Sequence, residues 1–241
     1  MTEPTTLSDA LRADAGLVLV GEWAVASQQD QRPAADAALA AWQDGAWPVG
    51  LLAYHCLLGE DGGNLLHYQQ WTSADACRAF VATGRPRWLA SVAAAVPGIQ
   101  HRQATGYQRY RSTPRLDGAP ATGCLATVSV DFDGADPERQ RDWVDSVFSA
   151  ADSDQASLEA GLVAAHFHLS VDGTRVLNVA EWTNADAHRR AVTKPAARLR
   201  RTTQQFPGVT GIAVQRFTSY RGRHRPTGKR WRCPSEAAAC S

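Results

Sequence analysis

The order of apolar and polar positions along the chain predicts strands that alternate with helices. An apolar, β-type run covers Leu17 to Val25, and an Ala-rich stretch with helical character follows from Ala34 to Trp42. Two more apolar runs, Leu51 to Leu58 and Leu65 to Trp71, flank the turn signal Asp61-Gly62-Gly63. Such a pair of runs around a Gly-containing turn predicts a β-hairpin.

Proline, glycine and capping residues mark the expected helix boundaries. Pro33 is expected in the first turn of the first helix. The second helix is predicted to begin at Thr72-Ser73-Ala74-Asp75, because a hydroxyl cap and an acid suit the exposed N–H groups of a helix start. We expect Pro86 to break or kink this helix, Pro97-Gly98 to end it, and Ile99 to Arg111 to form the last strand.

The same elements recur because the sequence carries an internal repeat. Residues 50–81 align with residues 161–192 without gaps, and fifteen of the thirty-two pairs are identical. Each copy has the βαββαβ order of the ferredoxin-like unit, whose helices cover one face of an antiparallel sheet. The uncovered faces can pack together. We therefore predict an α+β fold in which two ferredoxin-like repeats form an intramolecular dimeric α/β barrel.

Changes in composition set the predicted boundaries of the two halves. Residues 114–122 are rich in Pro, Gly and Ala, so we interpret them as the linker between a first half (residues 15–113) and a second half (residues 123–220). Residues 1–14 are expected to be disordered. The basic segment 221–241 lacks apolar periodicity and is expected to be a flexible tail.

Composition argues against several classes of function and partner. The formal net charge is +1, which gives no sign of a nucleic-acid partner. The five cysteines are scattered without paired spacing, as is typical of reduced thiols in a cytoplasmic protein rather than of disulfides or a metal site. The chain has no apolar run long enough to cross a bilayer and no signal peptide, so we expect no membrane association.

A motif shared by both halves resembles a known family. It consists of a strand ending in Trp, then Thr-Ser/Asn-Ala-Asp-Ala, a helix, and Pro-Gly-Ile/Val before the last strand. The motif occupies residues 71–76 with 97–99, and residues 182–187 with 207–209. It is similar to the antibiotic-biosynthesis-monooxygenase family over nearly the whole chain except the ends and the linker. The resemblance implies the fold above and a monooxygenase that acts on an aromatic polyketide in antibiotic biosynthesis.

The second half is the better candidate for the working pocket. Family members that act on anthrones place an Asn four residues before the strand Trp, and this chain has Asn178 and Trp182 in that arrangement. A spacing of four places both side chains on one face of a strand. The first half has His67 and Trp71 instead. Six residues past the Trp, where the family has an aromatic residue, the second half has His188.

The chemistry implied by the resemblance needs few protein groups. A deprotonated phenol or hydroquinone can pass an electron to O2 directly, so neither a metal nor a bound cofactor is expected. Reduced flavin from a partner reductase is the exception for substrates that must first be reduced. Trp182 would pack on the flat ring, Asn178 would donate to the developing enolate, and His188 or His166 would act as base.

Five further residues are candidates for substrate binding, and the strand register decides among some of them. They are Trp71, His67, His55, Phe167 and His168. A two-residue loop at Asp172-Gly173 places Phe167 opposite Asn178, whereas a three-residue loop places His168 there and turns the histidines to that face. The alternative for both tryptophans and for the repeated pair His55 and His166 is a purely structural role in the core.

Two other functions are compatible with the fold. A non-catalytic protein that binds aromatic ligands is the main alternative, with the first half as a partly retired duplicate. Haem degradation is disfavoured, because the helix position that holds iron in such relatives is occupied here by Val81 and Val192. The two halves supply an internal pseudo-dimer, so we expect either a monomer or a homodimer.

Overall fold

The computed structural model describes most of the chain. The described residues are 11–42, 47–102, 104–113, 115, 118–152, 161–193 and 203–224. The predicted disordered segment 1–14 falls outside these ranges except for its last four residues. Within those four, Arg12 donates its backbone N–H to Gln70 Oε1 at 2.8 Å.

The elements of the two halves follow the same order. The first half contains β1 (Leu17–Ala24), α1 (Gln28–Ala40), β2 (Leu51–Gly59), β3 (Asn64–Trp71), α2 (Ala74–Thr83), α3 (Arg85–Ala95), β4 (Gln100–His101) and β5 (Thr105–Thr113). The second half contains β6 (Cys124–Phe132), α4 (Pro137–Asp152), β7 (Leu162–Ser170), β8 (Arg175–Trp182), α5 (Ala185–Thr193) and β9 (Val209–His224). Both follow the βαββαβ order, with one helix and one strand of the first half divided in two.

The described strands form one closed antiparallel sheet. Within the first half the order is β2-β3-β1-β5, and within the second half it is β9-β6-β8-β7. The last strand of each half pairs with the second strand of the other, β5 with β7 and β9 with β2. The short β4 pairs with β1 beyond the end of β5. The pairings therefore close the ring and confirm the predicted intramolecular dimeric α/β barrel.

The first helix begins earlier than predicted. α1 starts at Gln28, so Pro33 lies inside the helix and not in its first turn. The early turns are fixed to the sheet by Gln31, whose Nε2 donates to the carbonyl oxygens of Gly59 (2.9 Å) and Asn64 (2.8 Å). This tertiary anchor offsets the helical hydrogen bond that a proline cannot donate.

The helix after the hairpin is divided as expected. Ser73 caps α2, and its Oγ accepts from the backbone N–H of Ala76 at 3.2 Å. The helix ends at Gly84, and α3 restarts with Pro86 in its first turn. Asn184 has the equivalent capping role in α5, where its Oδ1 accepts from the N–H of Ala187 at 2.8 Å.

The last strand is longer than the sequence pattern predicted. β9 continues to His224, and residues 221–224 pair with β2 from Cys56 to Ala53. The prediction of a flexible tail is therefore wrong for residues 221–224, which are part of a strand. The unpaired edge of β2 provides the backbone hydrogen-bond partners for them, and the local sequence does not reveal that edge. The remainder of the tail lies outside the described residues.

The buried apolar side chains form three separate layers. One lies between the helices and the sheet of the first half, and a second lies in the same place in the second half. The third fills the interior of the barrel and combines residues from both halves, such as Leu66 and Leu177. Residues that alternate along each strand thus enter different layers. The described cysteines Cys56, Cys77 and Cys124 are buried free thiols, and no described helix is long and apolar enough to cross a membrane.

Candidate functional site

The register of the β7–β8 hairpin decides which predicted residues share a face. Phe167 lies opposite Asn178, which is the pairing expected from a two-residue loop at Asp172-Gly173. Gly173 adopts a positive φ of 77°, as this turn requires. Asn178 and Phe167 consequently face the helices, whereas His166 and His168 face the interior of the barrel.

Three predicted catalytic side chains lie between helices and sheet in the second half. Trp182 is buried there with Phe167, and Asn178 shares their face. His188 on α5 meets Trp182 edge-on, with ring centroids 5.1 Å apart. No described residue provides a hydrogen-bond partner for Asn178 Oδ1, Trp182 Nε1 or His188 Nδ1, although all three atoms are buried. Because buried polar atoms normally have partners, these three atoms are candidates for contact with a ligand, as are Trp42 Nε1 and His67 Nε2 in the first half.

His188 is neutral at physiological pH and lies next to charges from both halves. Burial, followed by the charge of Arg216, lowers the pKa of His188 to about 4. Glu60, from the hairpin of the first half, forms ion pairs with Arg189 (2.6 Å) and with Arg216. The neutral imidazole can accept a proton, although a group of such low pKa is a weak base.

The second half has small side chains where the first half has large aromatic ones. Equivalent positions follow from the repeat and from the matching strand pairs, in which Leu17 lies opposite Trp71 and Cys124 opposite Trp182. On this basis Trp23 corresponds to Val130, Tyr54 to Ala165, and Phe80 to Ala191. The aromatic side chains fill the space around His67 and Trp71. Smaller side chains take their places near Asn178 and Trp182, although Phe167 there replaces Cys56.

In the first half, aromatic side chains pack tightly around His67 and Trp71, which correspond to Asn178 and Trp182. Tyr54 Oη and His67 Nδ1 are hydrogen-bonded at 2.6 Å, and the Trp23 ring lies 3.8 Å from the His67 ring between centroids. Trp71 stacks obliquely on Phe80 at 5.1 Å. His67 and Trp71, predicted to contact substrate, are therefore enclosed by protein side chains.

An open cleft lies on the outer side of this aromatic packing. Its volume is about 600 Å³. Trp42, Trp88 and Phe80 supply aromatic walls, and Val49 and Arg87 are also part of its lining. Val49 is 75% exposed, so an apolar entrance faces solvent. The cleft can accept a planar apolar ligand of moderate size.

The barrel-facing histidines of the second half belong to a different environment. His168 Nε2 is hydrogen-bonded to Tyr68 Oη at 2.9 Å, across the two halves. His166 Nδ1 is hydrogen-bonded to Ser112 Oγ at 3.0 Å, and its Nε2 lies 3.8 Å from a buried carboxylate oxygen of Glu181. This placement corrects the prediction that His166 serves as base beside Asn178, and the prediction that His168 contacts the same substrate.

His55 is likewise separated from the helix-facing layer. Its ring lies 4.7 Å from that of His224, which enters the sheet through the extension of β9. Burial lowers the pKa of His55 to about 3. His55 was predicted to bind substrate, and its side chain projects from the opposite face of the sheet to those of His67 and Trp71.

Sequence reasoning missed the aromatic side chains that shape the first half. Tyr54, Trp42 and Trp88 lie in separate elements, and no motif connects them. The sequence difference between the two repeats could have identified one of them, because Tyr54 occupies the position that Ala165 has in the second half. The described residues also include no group of three or more His, Cys, Asp or Glu side chains arranged to hold a metal ion.

Solved structures share this architecture. No protein-family model and no curated protein matches the chain. An anthrone oxidase-like protein covers 90% of this chain and 95% of its own at 14% identity, with a TM-score of 0.69. A candidate monooxygenase from Lactobacillus acidophilus NCFM covers 87% and 96% at 12% identity, with a TM-score of 0.54. A mutant chlorite dismutase from Candidatus Nitrospira defluvii covers 90% and 96% at 10% identity, with a TM-score of 0.53. The chain therefore has the ferredoxin-like barrel fold of anthrone oxidase-like and monooxygenase-like proteins.

Proposed function

We propose that the protein is a monooxygenase that oxidises a flat phenolic substrate bound in the second half. The substrate class is a polycyclic aromatic polyketide of the anthrone or hydroquinone type, and the setting is antibiotic biosynthesis. Molecular oxygen is the oxidant, without a bound metal or organic cofactor. With an anthrone, the ring methylene becomes a carbonyl with one oxygen atom of O2, and the other leaves as water.

The observation that carries this proposal is the amide oxygen of Asn178. It is buried, and no described residue donates a hydrogen bond to it, on a face where Ala165 and Ala191 replace aromatic residues of the first half. A buried amide with an unused acceptor suits recognition of a ligand that carries a hydroxyl group. The likeness in fold to an anthrone oxidase-like protein supports the same substrate class.

Each of the three side chains has a distinct part in the reaction. The Trp182 ring packs against the substrate, and the Asn178 amide donates to the oxygen that becomes an enolate. His188 accepts the proton at Nδ1. Because its pKa of about 4 makes it a weak base, the hydrogen bond from Asn178 has to acidify the substrate. The resulting electron-rich anion then transfers an electron to O2.

Oxygen uptake tests the proposal directly. Purified protein is mixed with an anthrone or a polycyclic hydroquinone in air, with and without reduced flavin supplied by a flavin reductase. We expect O2 consumption and quinone formation above the rate without protein. Uptake that never exceeds this background under either condition would contradict the proposal, and uptake only with reduced flavin would identify a substrate that must first be reduced.

Matched variants assign the reaction to the second half. Asn178→Ala and Trp182→Phe are expected to lose most of the turnover. Ser73→Ala is the control, because it removes the equivalent helix cap in the first half, where Ser73 Oγ accepts from Ala76. Loss of that cap costs about 1 kcal/mol of stability and does not touch the helix that carries His188. Equal losses in Asn178→Ala and Ser73→Ala would place the chemistry elsewhere.

The open cleft of the first half favours a second candidate function, the binding of aromatic ligands without turnover. Its walls include Trp42 and Trp88, so a stacked ligand would quench their fluorescence. Saturable quenching by an anthrone with no O2 uptake would support binding alone. Quenching together with uptake that depends on Asn178 would support the oxygenase.

A further inference from the structure

The first half contains a connected set of aromatic rings that the proposed oxygenase chemistry does not use. The rings of Trp42 and Trp88 are stacked, with centroids 4.9 Å apart and planes at 27°. Trp88 continues to Trp23 at 4.9 Å, and Trp42 continues outward to Trp47 at 6.0 Å. Tyr54 lies within 5.6 Å of Trp42 and 6.0 Å of Trp88. These contacts are short enough for single electrons to pass from ring to ring.

Tyr54 is the member of this set that also has a proton acceptor. Its hydroxyl lies 2.6 Å from His67 Nδ1, and it donates to that nitrogen when the imidazole carries its proton on Nε2. The exposed fractions are 0% for Tyr54 and 1% for His67, so water does not compete for the bond. Burial raises the pKa of Tyr54 well above its ordinary value and lowers the pKa of His67 to about 3. Both groups are therefore neutral before any reaction.

A hydrogen-bonded phenol and imidazole favour oxidation that is coupled to proton movement. Loss of one electron makes the phenol O–H a far stronger acid, so even a weakly basic imidazole can take its proton. The product is a neutral phenoxyl radical beside an imidazolium. This pair is more stable than a phenol radical cation held in an apolar interior, because the charge resides on a group able to carry it.

We propose that the first half holds a one-electron trap in which Tyr54 is oxidised and its proton moves to His67 Nδ1. The oxidant is an organic phenoxyl or semiquinone radical at the cleft walls formed by Trp42 and Trp88. The radical gains one electron and a solvent proton and becomes a phenol. Tyr54 loses one electron, its O–H bond breaks, and an N–H bond forms on His67. This proposal does not require the second half to be an oxygenase.

The rest of the described structure provides an internal comparison. The second half has Ala165 at the position of Tyr54 and Asn178 at that of His67, so it has no equivalent pair. The barrel interior contains another buried tyrosine–histidine bond, Tyr68 to His168 at 2.9 Å. Among the described rings, that pair contacts Tyr107 and no tryptophan. The two pairs share a hydrogen bond and differ in their connection to a tryptophan chain.

Photochemical oxidation tests the trap without any substrate. Tris(bipyridine)ruthenium is illuminated with persulfate in the presence of the 241-residue chain, and radicals are recorded by electron paramagnetic resonance after freezing. We expect a tyrosyl signal that narrows in protein grown with ring-deuterated tyrosine. Tyr54→Phe should lose most of this signal, whereas Tyr68→Phe, which also removes one buried hydroxyl, should retain it. Circular dichroism confirms that both variants are folded.

The variant His67→Gln tests whether His67 accepts the proton or only holds the Tyr54 hydroxyl in position. Glutamine can accept the hydrogen bond but cannot hold the proton, so we expect a shorter radical lifetime and loss of the solvent deuterium effect on radical formation. A tyrosyl signal that is unchanged in Tyr54→Phe would overturn the proposal. A His67→Gln variant with the lifetime and isotope effect of the unmodified protein would overturn the role of His67.

Discussion

Three buried histidines make the stability of this protein steeply dependent on pH. Burial lowers the pKa of His55, His67 and His168 from 6.5 to about 3. Their exposed fractions are 2%, 1% and 0%, so solvent does not relieve the cost of charging them. An unfolded chain takes up protons on these groups below pH 6.5, whereas the folded chain does not. Stability is therefore fully present above pH 6.5 and is lost as the pH falls towards 3.

The magnitude follows from the number of protons. One pH unit is worth about 1.4 kcal/mol for each group that is charged only in the unfolded state. Between pH 6.5 and about 4.5 each histidine removes about 2.3 kcal/mol, and the three together remove about 7 kcal/mol. The total stability of a domain is about 5–15 kcal/mol, so this loss alone is enough to bring the protein close to unfolding.

Urea unfolding at several pH values provides the measurement. We expect the free energy of unfolding to fall by about 5 kcal/mol per pH unit near pH 5, because His188, whose pKa is about 4, adds a fourth proton. The carboxylates of Glu60 and Asp172 contribute little near pH 5. They are ionised in the folded protein, and their ordinary pKa values of 4.5 and 3.8 leave them mostly ionised in the unfolded chain as well.

The control variant is His168→Gln. Glutamine can accept from Tyr68 and donate to the Leu177 carbonyl oxygen, as the imidazole does, but it does not titrate. We expect the slope of stability against pH to decrease by about one quarter, or one proton. A free energy of unfolding that stays constant from pH 6 to about pH 5, or an equal slope in the variant, would refute the assignment of these groups as buried and neutral.

Three further predictions follow from the packing. Ala191→Phe introduces the aromatic residue that the first half has at this position. It should abolish ligand binding in the second half while far-ultraviolet circular dichroism stays unchanged. Undiminished binding would contradict a ligand site beside Ala191. Tyr68→Phe leaves His168 Nε2 without a partner and should lower the free energy of unfolding by about 1–3 kcal/mol in urea titrations. Gln140→Leu should lower the free energy of unfolding by a similar ~1–3 kcal/mol. Gln140 Nε2 donates to the carbonyl oxygens of Ser170 (3.3 Å) and Arg175 (2.6 Å), and the variant loses both hydrogen bonds. A loss below about 0.5 kcal/mol in Tyr68→Phe or in Gln140→Leu would argue against the bonds concerned.

The sequence by itself determined the element order and the barrel. Fifteen identities at a constant offset show the duplication, and the motif from Trp182 to Ala187 marks a strand end and a helix start by local chemistry. The shared face of Asn178 and Trp182 also follows locally, because side chains alternate along any strand. These features depend only on residues that are close together in the sequence, so the sequence is sufficient to predict them.

Only the tertiary structure decided which face of the sheet the histidines occupy and which side chains surround them there. The register of β7 against β8 sent His166 to the barrel interior, and a shift of one residue would have reversed this outcome. The bond between Tyr54 and His67 arises from the pairing of β2 with β3, and the enclosing tryptophans come from distant elements. Burial depends on contacts between residues far apart in sequence, so the aromatic packing around His67 cannot be obtained from local periodicity.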